Sequence, residues 1–185
     1  SSDTVLQRGS RGLDRVSAWA GYWRVRRSLS EKGWKPTLTG DINLSSGDTN
    51  PRDGRYQTID VLYPTPHDKY GLADQVGWKN IRHLGSILEV APRKGWTVQG
   101  KFHSWWLASP TDGLYAPNGS LQVRDVTGRS GRHVGEEADF QFFWIPVKGT
   151  QLGGGIGRIF NGEFLKSTTP GKTYTFYYLS LTRVL

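Results

Sequence analysis

The chain has 185 residues, a mass of 20.7 kDa and 24 Lys and Arg against 16 Asp and Glu, giving one domain's length and a formal charge of +8. It contains no Cys, which excludes disulfide scaffolds, thiolate metal centres and cysteine nucleophiles, and no Met, so a processed, tagged or excised polypeptide is expected. No apolar run approaches the roughly 20 residues of a membrane helix, and no signal peptide stands at the start. A mean hydropathy of -0.53 leaves a membrane β-barrel open, because its strands alternate apolar and polar residues. The basic charge predicts attraction to polyanions without choosing among nucleic acid, anionic lipid and acidic polysaccharide.

Period-two alternation predicts seven strands, over 14–27, 35–46, 80–91, 96–108, 133–145, 150–160 and 172–185. In the first, Trp19, Gly21, Trp23 and Val25 are placed on the apolar face and Tyr22, Arg24 and Arg26 opposite. The second is the clearest: Leu38, Gly40, Ile42 and Leu44 share one face, and Thr37, Thr39, Asp41, Asn43 and Ser45 the other. The fourth sets Trp96, Val98, Gly100, Phe102 and Trp106 against Thr97, Gln99, Lys101 and His103. The fifth sets Ala138, Phe140, Phe142 and Trp144 against Glu137, Asp139 and Gln141. In the sixth, the run Gly153 to Gly157 opens no helix and reads as a site of close strand packing. The last sets Tyr177, Leu179, Leu181 and Leu185 against Tyr178, Ser180 and Thr182.

The connections alternate strictly between short and long: short around SLSEKGW, very long over 47–79, short at PRKG, long over 109–131, short at PVKG and intermediate over 161–171. Tight turns at one end and long loops at the other are the wiring of an up-and-down transmembrane β-barrel with short periplasmic turns and long extracellular loops. Trp34, Trp96 and Trp144 lie beside short turns, and Trp78, Trp106 and Tyr177 nearer the long-loop end, as two interfacial girdles require. Counting back from the last strand places residues 1–12 at the end of an outer loop. Seven strands is an odd number, so either one strand is hidden or upstream strands of a larger barrel lie outside the chain. The expected fold class is all-β and antiparallel, with 1–185 a single barrel domain or the C-terminal portion of one.

The long loops carry a likeness. LYPTPHDKYGLADQVGWKN (62–80), preceded by SGDTNPRDG, then HSWWLASPTDGLY (103–115), HVGEEAD (133–139) and GEFLKSTTPG (162–171), resemble the C-terminal part of the alginate export family of outer-membrane barrels. The resemblance runs from about residue 20 onward. It implies a large monomeric barrel in the outer membrane of a Gram-negative bacterium, with an electropositive lumen that passes an acidic exopolysaccharide. Members are usually more than twice this length, so this chain would supply under half of the strands. The final LSLTRVL lacks the terminal aromatic of many barrel-assembly signals.

Passage of a polyuronate needs a low-affinity cationic track along which distributed contacts let the polymer slide. The candidate lumen cations are Arg24, Arg26, Lys101, His103 and Arg158, the last placed by strict alternation on the outer side near a loop. The candidate acidic partners are Asp41, Glu89, Glu137 and Asp139. For each, pairing across a wet interior is the competing reading. The string Pro64, Pro66, His67, Asp68, Gly71 and Asp74 could seat a divalent cation, lid the pore or simply build turns. Asp48 to Gly54 resembles a calcium loop only in composition, since the spacing is wrong and no downstream bidentate Glu fits, so no metal or cofactor is assigned.

Catalysis is not expected. His67 beside Asp68 and Glu136 beside Glu137 would face opposite ways on a strand, and no nucleophile elbow, His cluster or phosphate loop occurs. The expected partners are anionic polysaccharide, outer-membrane lipid and periplasmic export machinery rather than nucleic acid. The alternative is a soluble β-barrel or sandwich with a dry core, presenting Trp105, Trp106 and Tyr115 to acidic polysaccharide or single-stranded nucleic acid.

Overall fold

A computed structural model describes residues 1–62 and 69–184. Ser2–Arg11 (β1), Asp14–Ser28 (β2), Thr37–Ser45 (β3), Ile81–Val90 (β5), Trp96–Leu107 (β6), His133–Val147 (β9), Thr150–Asn161 (β10) and Tyr174–Arg183 (β11) pair in that order in one sheet. Every neighbour along the path is antiparallel. A short strand, Arg55–Tyr56 (β4), adds to β2 in parallel. Gly113–Tyr115 (β7) and Leu121–Arg124 (β8) form a separate hairpin, and Glu163–Thr168 (α1) is a six-residue helix between β10 and β11. Among the described residues β1 and β11 do not pair, so the sheet stays open. No helix among them is long and apolar enough to cross a membrane, which says nothing of strands.

The seven predicted strands are β2, β3, β5, β6, β9, β10 and β11, each within a few residues of its expected bounds. Residues 2–11 correct the expectation of an outer-loop end: they form β1 and make the run of long strands even. The alternation of SDTVLQRGSR is broken by adjacent Val5 and Leu6, which hid it. What makes it a strand is the hairpin to β2, closed by Gly12 and Leu13 between the paired residues Arg11 and Asp14. Gly12 has φ +61, the backbone a II′ turn requires at its first central position. That turn lies at the same end as the long loops, so the short-long alternation fails at this one connection.

Each long strand presents its apolar side outward. Trp19, Trp23, Val25, Leu38, Ile42, Leu84, Leu88, Phe102, Phe140, Ile156 and Leu179 are exposed, whereas Thr39, Asp41, Asn43, His83, Lys101, His103, Glu137, Asp139 and Gln141 are buried on the other side. The sheet is thus inverted relative to a sandwich with a dry core, and the soluble module's inward-facing apolar strands are not what forms. Along β10, the space a side chain would take at Gly153, Gly154 and Gly155 is filled by Phe143, Phe142, Leu179 and Tyr178 from the neighbouring strands, in keeping with the close packing expected of this run. Leu185 lies outside the described residues.

Apolar burial concentrates under the long loops. Val76, Ile81, Trp105, Leu107, Leu114, Val134 and Phe164 form one cluster, and Ala18, Ala20 and Ile59 a second. Burying each large side chain there contributes about 1.5–3 kcal/mol. Trp78 packs against both clusters, so it belongs to this inner cap and not to an outer girdle. Trp34 is exposed beside its turn, while Trp96 and Trp144 stack at 5.4 Å across β6 and β9, next to short turns as expected.

One carboxylate organises the cap. Asp112, fully buried, accepts from the backbone N–H groups of Asp48 (2.9 Å) and Gly113 (2.7 Å), and from the hydroxyls of Thr58 (2.5 Å) and Tyr115 (2.7 Å). Arg124 Nη2 completes the set at 2.7 Å. Loop 46–59 and the β7–β8 hairpin are therefore tied through a single side chain. Burial pushes the Asp48 carboxyl above its ordinary range, with the charges of Asp112 and Asp53 adding to it. Burial likewise pushes the Tyr115 hydroxyl up, reinforced by the neighbouring Asp112.

Candidate functional site

The concave face of the sheet carries the candidate site, because period two puts every odd-numbered residue of β3, β5 and β6 on that side. Arg24 on β2 and Asp41 on β3 are register partners and meet at 3.5 Å. Arg26 reaches Glu89 of β5 at 2.9 Å, and Gln99 of β6 donates to the other Glu89 oxygen at 2.7 Å. Lys101 and Asp139 are register partners across β6 and β9, both buried. On β9, adjacent Glu136 and Glu137 face opposite ways: Glu136 meets His133 at 2.7 Å, and Glu137 is buried on the concave side.

A continuous polar chain joins these pairs. Asn43 Nδ2 donates to Asp41 (3.2 Å) and lies 2.8 Å from His83 Nδ1, which is 3.4 Å from Asp41. His83 Nε2 is 2.9 Å from His103 Nδ1, the two rings stacking at 5.1 Å, and His103 Nε2 is 3.6 Å from Asp139. Gly85 is the register partner of both Asp41 and His103 and brings no side chain, which leaves room for this cluster. Trp105 stacks beneath both imidazoles, at 5.9 and 6.3 Å, and forms the boundary with the apolar cap.

The loop after β4 folds onto this face. Lys69 Nζ stands 6.0 Å over the ring of Tyr22 on β2. Tyr70, buried, lies edge-on to His83 at 5.5 Å with its hydroxyl 3.4 Å from Asn43. The backbone N–H of Leu72 donates to Asp139 at 3.2 Å and that of Ala73 to Glu137 at 2.8 Å, and Val76 enters the apolar cluster. Residues 69–76 thus cross the concave side from β2 to β9. Of the loop string singled out in the sequence, Pro64, Pro66, His67 and Asp68 lie outside the described residues. Within 48–55 the acidic side chains cap local turns, Asp48 onto Asn50 N and Asp53 onto Arg55 N.

Four of the five sequence-derived cations, Arg24, Arg26, Lys101 and His103, share the concave face with all four acids, Asp41, Glu89, Glu137 and Asp139. Arg158 is the correction. It shares the outward face of β10 with Ile156 and Phe160, 5.7 Å from the Phe160 ring, because its neighbour Gly157 is the residue that faces the carboxylates. The charges interleave, so this face is not a row of uncompensated cations. In both arginine pairs, however, the cation is the exposed partner: Arg24 is 37% exposed against 3% for Asp41, and Arg26 62% against 32% for Glu89.

Sequence reasoning missed His83, Tyr70 and Asp112. His83 was findable, since it has the same parity on β5 as the chosen Glu89. Nothing local marks the other two. The surface expected of a soluble sugar or base binder does not form, because Trp105 and Tyr115 are buried.

A search of the curated proteins finds no match. The family model described as alginate export matches residues 2–177, nearly the whole chain. Together with the antiparallel path of eight long strands and its outward apolar face, that match places the chain in the alginate export family, and so in polysaccharide export.

Proposed function

We propose that this chain forms a wall of an outer-membrane β-barrel channel that conducts an acidic polysaccharide or other anionic solutes, with its exposed apolar face against lipid and its concave face lining the lumen. Two arginines, each more exposed than the carboxylate it pairs with, carry this reading. Water on the concave side meets guanidinium groups first, while Asp41 and Glu89 hold those groups in place from beneath. Contacts of that kind are distributed and solvated, so a polyanion is attracted without being trapped. Proteins of the periplasmic export machinery would deliver the polymer to the short-turn end. The proposed role contains no catalytic step.

The test is the reversal potential of the full-length protein in planar bilayers under a salt gradient. Arg24→Ala combined with Arg26→Ala is expected to shift it toward reduced anion selectivity. An unchanged value would remove these residues from the conduction path.

A further inference from the structure

The outward face carries cations that conduction does not use. Arg8 on β1, Arg82 on β5 and Arg158 on β10 are exposed on that side, and no carboxylate among the described residues pairs with any of them. Arg24 and Arg26, on the concave side, are each held by an acid. Among the described residues, the single acid on the outward face of the eight long strands is Glu136, and His133 takes it at 2.7 Å. The outward arginines also share a level. Arg82 stands eight residues before Val90, the foot of β5, and Arg158 eight residues after Thr150, the foot of β10. Eight residues of strand rise about 26 Å, which a tilt of about 40° turns into about 20 Å along the membrane normal. A long side chain snorkels the rest of the way to the border of an apolar band about 25 Å tall. Beneath the arginines the same face is apolar: Leu84 and Leu88 below Arg82, Ile156 below Arg158 and Leu6 below Arg8. Beside each stands an aromatic ring. Trp106 is the register partner of Arg82, and Phe160 lies 5.7 Å from Arg158. Arg8 donates to the Ser17 hydroxyl at 2.8 Å, and Trp19 follows Ser17 on that face of β2.

We propose that Arg8, Arg82 and Arg158 bind the phosphate groups of phosphorylated lipid headgroups in the leaflet at the long-loop end. The proposal rests on the channel reading, which puts this face against lipid. A cation with no acid beside it costs most at the membrane midplane and least at the headgroup border, which is where these three stand. Each guanidinium presents two parallel N–H donors to the oxygens of a phosphate, and the neighbouring aromatic ring belongs to the same interfacial layer. A free phosphate ion would use the same donors. Only a lipid also covers the apolar strip below them, over Leu84, Leu88 and Ile156.

The experiment places the full-length protein in phosphatidylcholine nanodiscs doped with diphosphorylated lipid A and counts bound lipid by native mass spectrometry. Arg82→Gln with Arg158→Gln is expected to weaken lipid A binding by about tenfold. Arg27→Gln with Arg183→Gln removes the same charge from the outward face at the short-turn end, and is expected to leave binding within about twofold. Equal losses in the two variants would mean diffuse attraction to a basic protein and overturn the proposal. So would displacement of the lipid by millimolar inorganic phosphate, since a bare anion would then suffice. The variant of Arg82 and Arg158 is expected to keep the wild-type reversal potential, because neither side chain faces the lumen. A shifted potential would put them on the conduction path and count against the lipid site. A wild-type protein that conducts anions but binds no lipid A sinks the lipid site alone. One that does not insert into lipid sinks the channel reading and the lipid site with it.

Discussion

Asp41 and Ile42 are neighbours on β3 with opposite surroundings: Asp41 is 4% exposed and Ile42 44%. The charged residue is the buried one. In water that arrangement is unfavourable, because it leaves apolar area solvated and carboxylates under cover. Against hydrocarbon outside and a hydrated lumen inside, it is the arrangement of lowest free energy.

Ile42→Arg is therefore expected to cost about 2–4 kcal/mol when the full-length protein folds into lipid vesicles, the range for a cation on the lipid face near the midplane. Urea titration with tryptophan fluorescence measures it. A cost near zero would show that Ile42 does not meet lipid.

Asp112→Ala removes the acceptor for Arg124, Tyr115, Thr58 and two backbone N–H groups at once. The expected loss is about 3 kcal/mol, at the low end for breaking a buried pair because Arg124 is one-third exposed. Hydrogen exchange should show it as lost protection at Asp48 and Gly113 while the β9–β10 ladder keeps its own. Uniform loss through the sheet would mean that the cap and wall unfold as one unit.

Asp125 accepts from the Thr127 hydroxyl (2.7 Å) and from the N–H groups of Thr127 (2.9 Å) and Ser130 (2.8 Å), and these bonds hold its carboxyl well below its ordinary value of 3.8. A folded-state value below the unfolded one gives stability that is present above 3.8 and lost as pH falls through the lowered value. Asp48 has the opposite sign: its raised value gives a contribution present below 3.8 and lost as pH climbs through the raised value. Protection factors at Thr127 and Ser130 should fall on acidification below about pH 4 in the native protein, and Asp125→Asn should abolish that dependence. Protection independent of pH down to about pH 2 would refute the assignment.

Arg26→Ala alone is expected to change stability by less than about 1 kcal/mol, since the Arg26–Glu89 pair is largely solvated. A larger loss in thermal unfolding would mean that Arg26 holds the sheet together as well as facing its concave side.

Strand parity was legible without coordinates. Alternation in TLTGDINLS is a local property, so the sides of β3, and likewise of β6 and β9, follow from the order of residues alone. The same parity put Arg24 and Asp41 on one face and Arg158 on the other, yet Arg158 was still counted among the candidate lumen cations. It failed for β1, where Val5 beside Leu6 blurs the period and only the turn at Gly12 and the ladder to β2 define the strand.

Which side of every long strand but β1 is oily, and where the loops lengthen, the sequence determined by itself, because period two and turn chemistry act over a few neighbouring residues. Only the tertiary structure decided that Leu72 and Ala73 dock on β9, that His83 stacks on His103, that Asp112 ties two loops together and that Trp78 turns inward. The His83–His103 and Leu72–Asp139 contacts join residues 20 and 67 positions apart in the chain. They depend on the shape of the closed-over face, which no local pattern encodes.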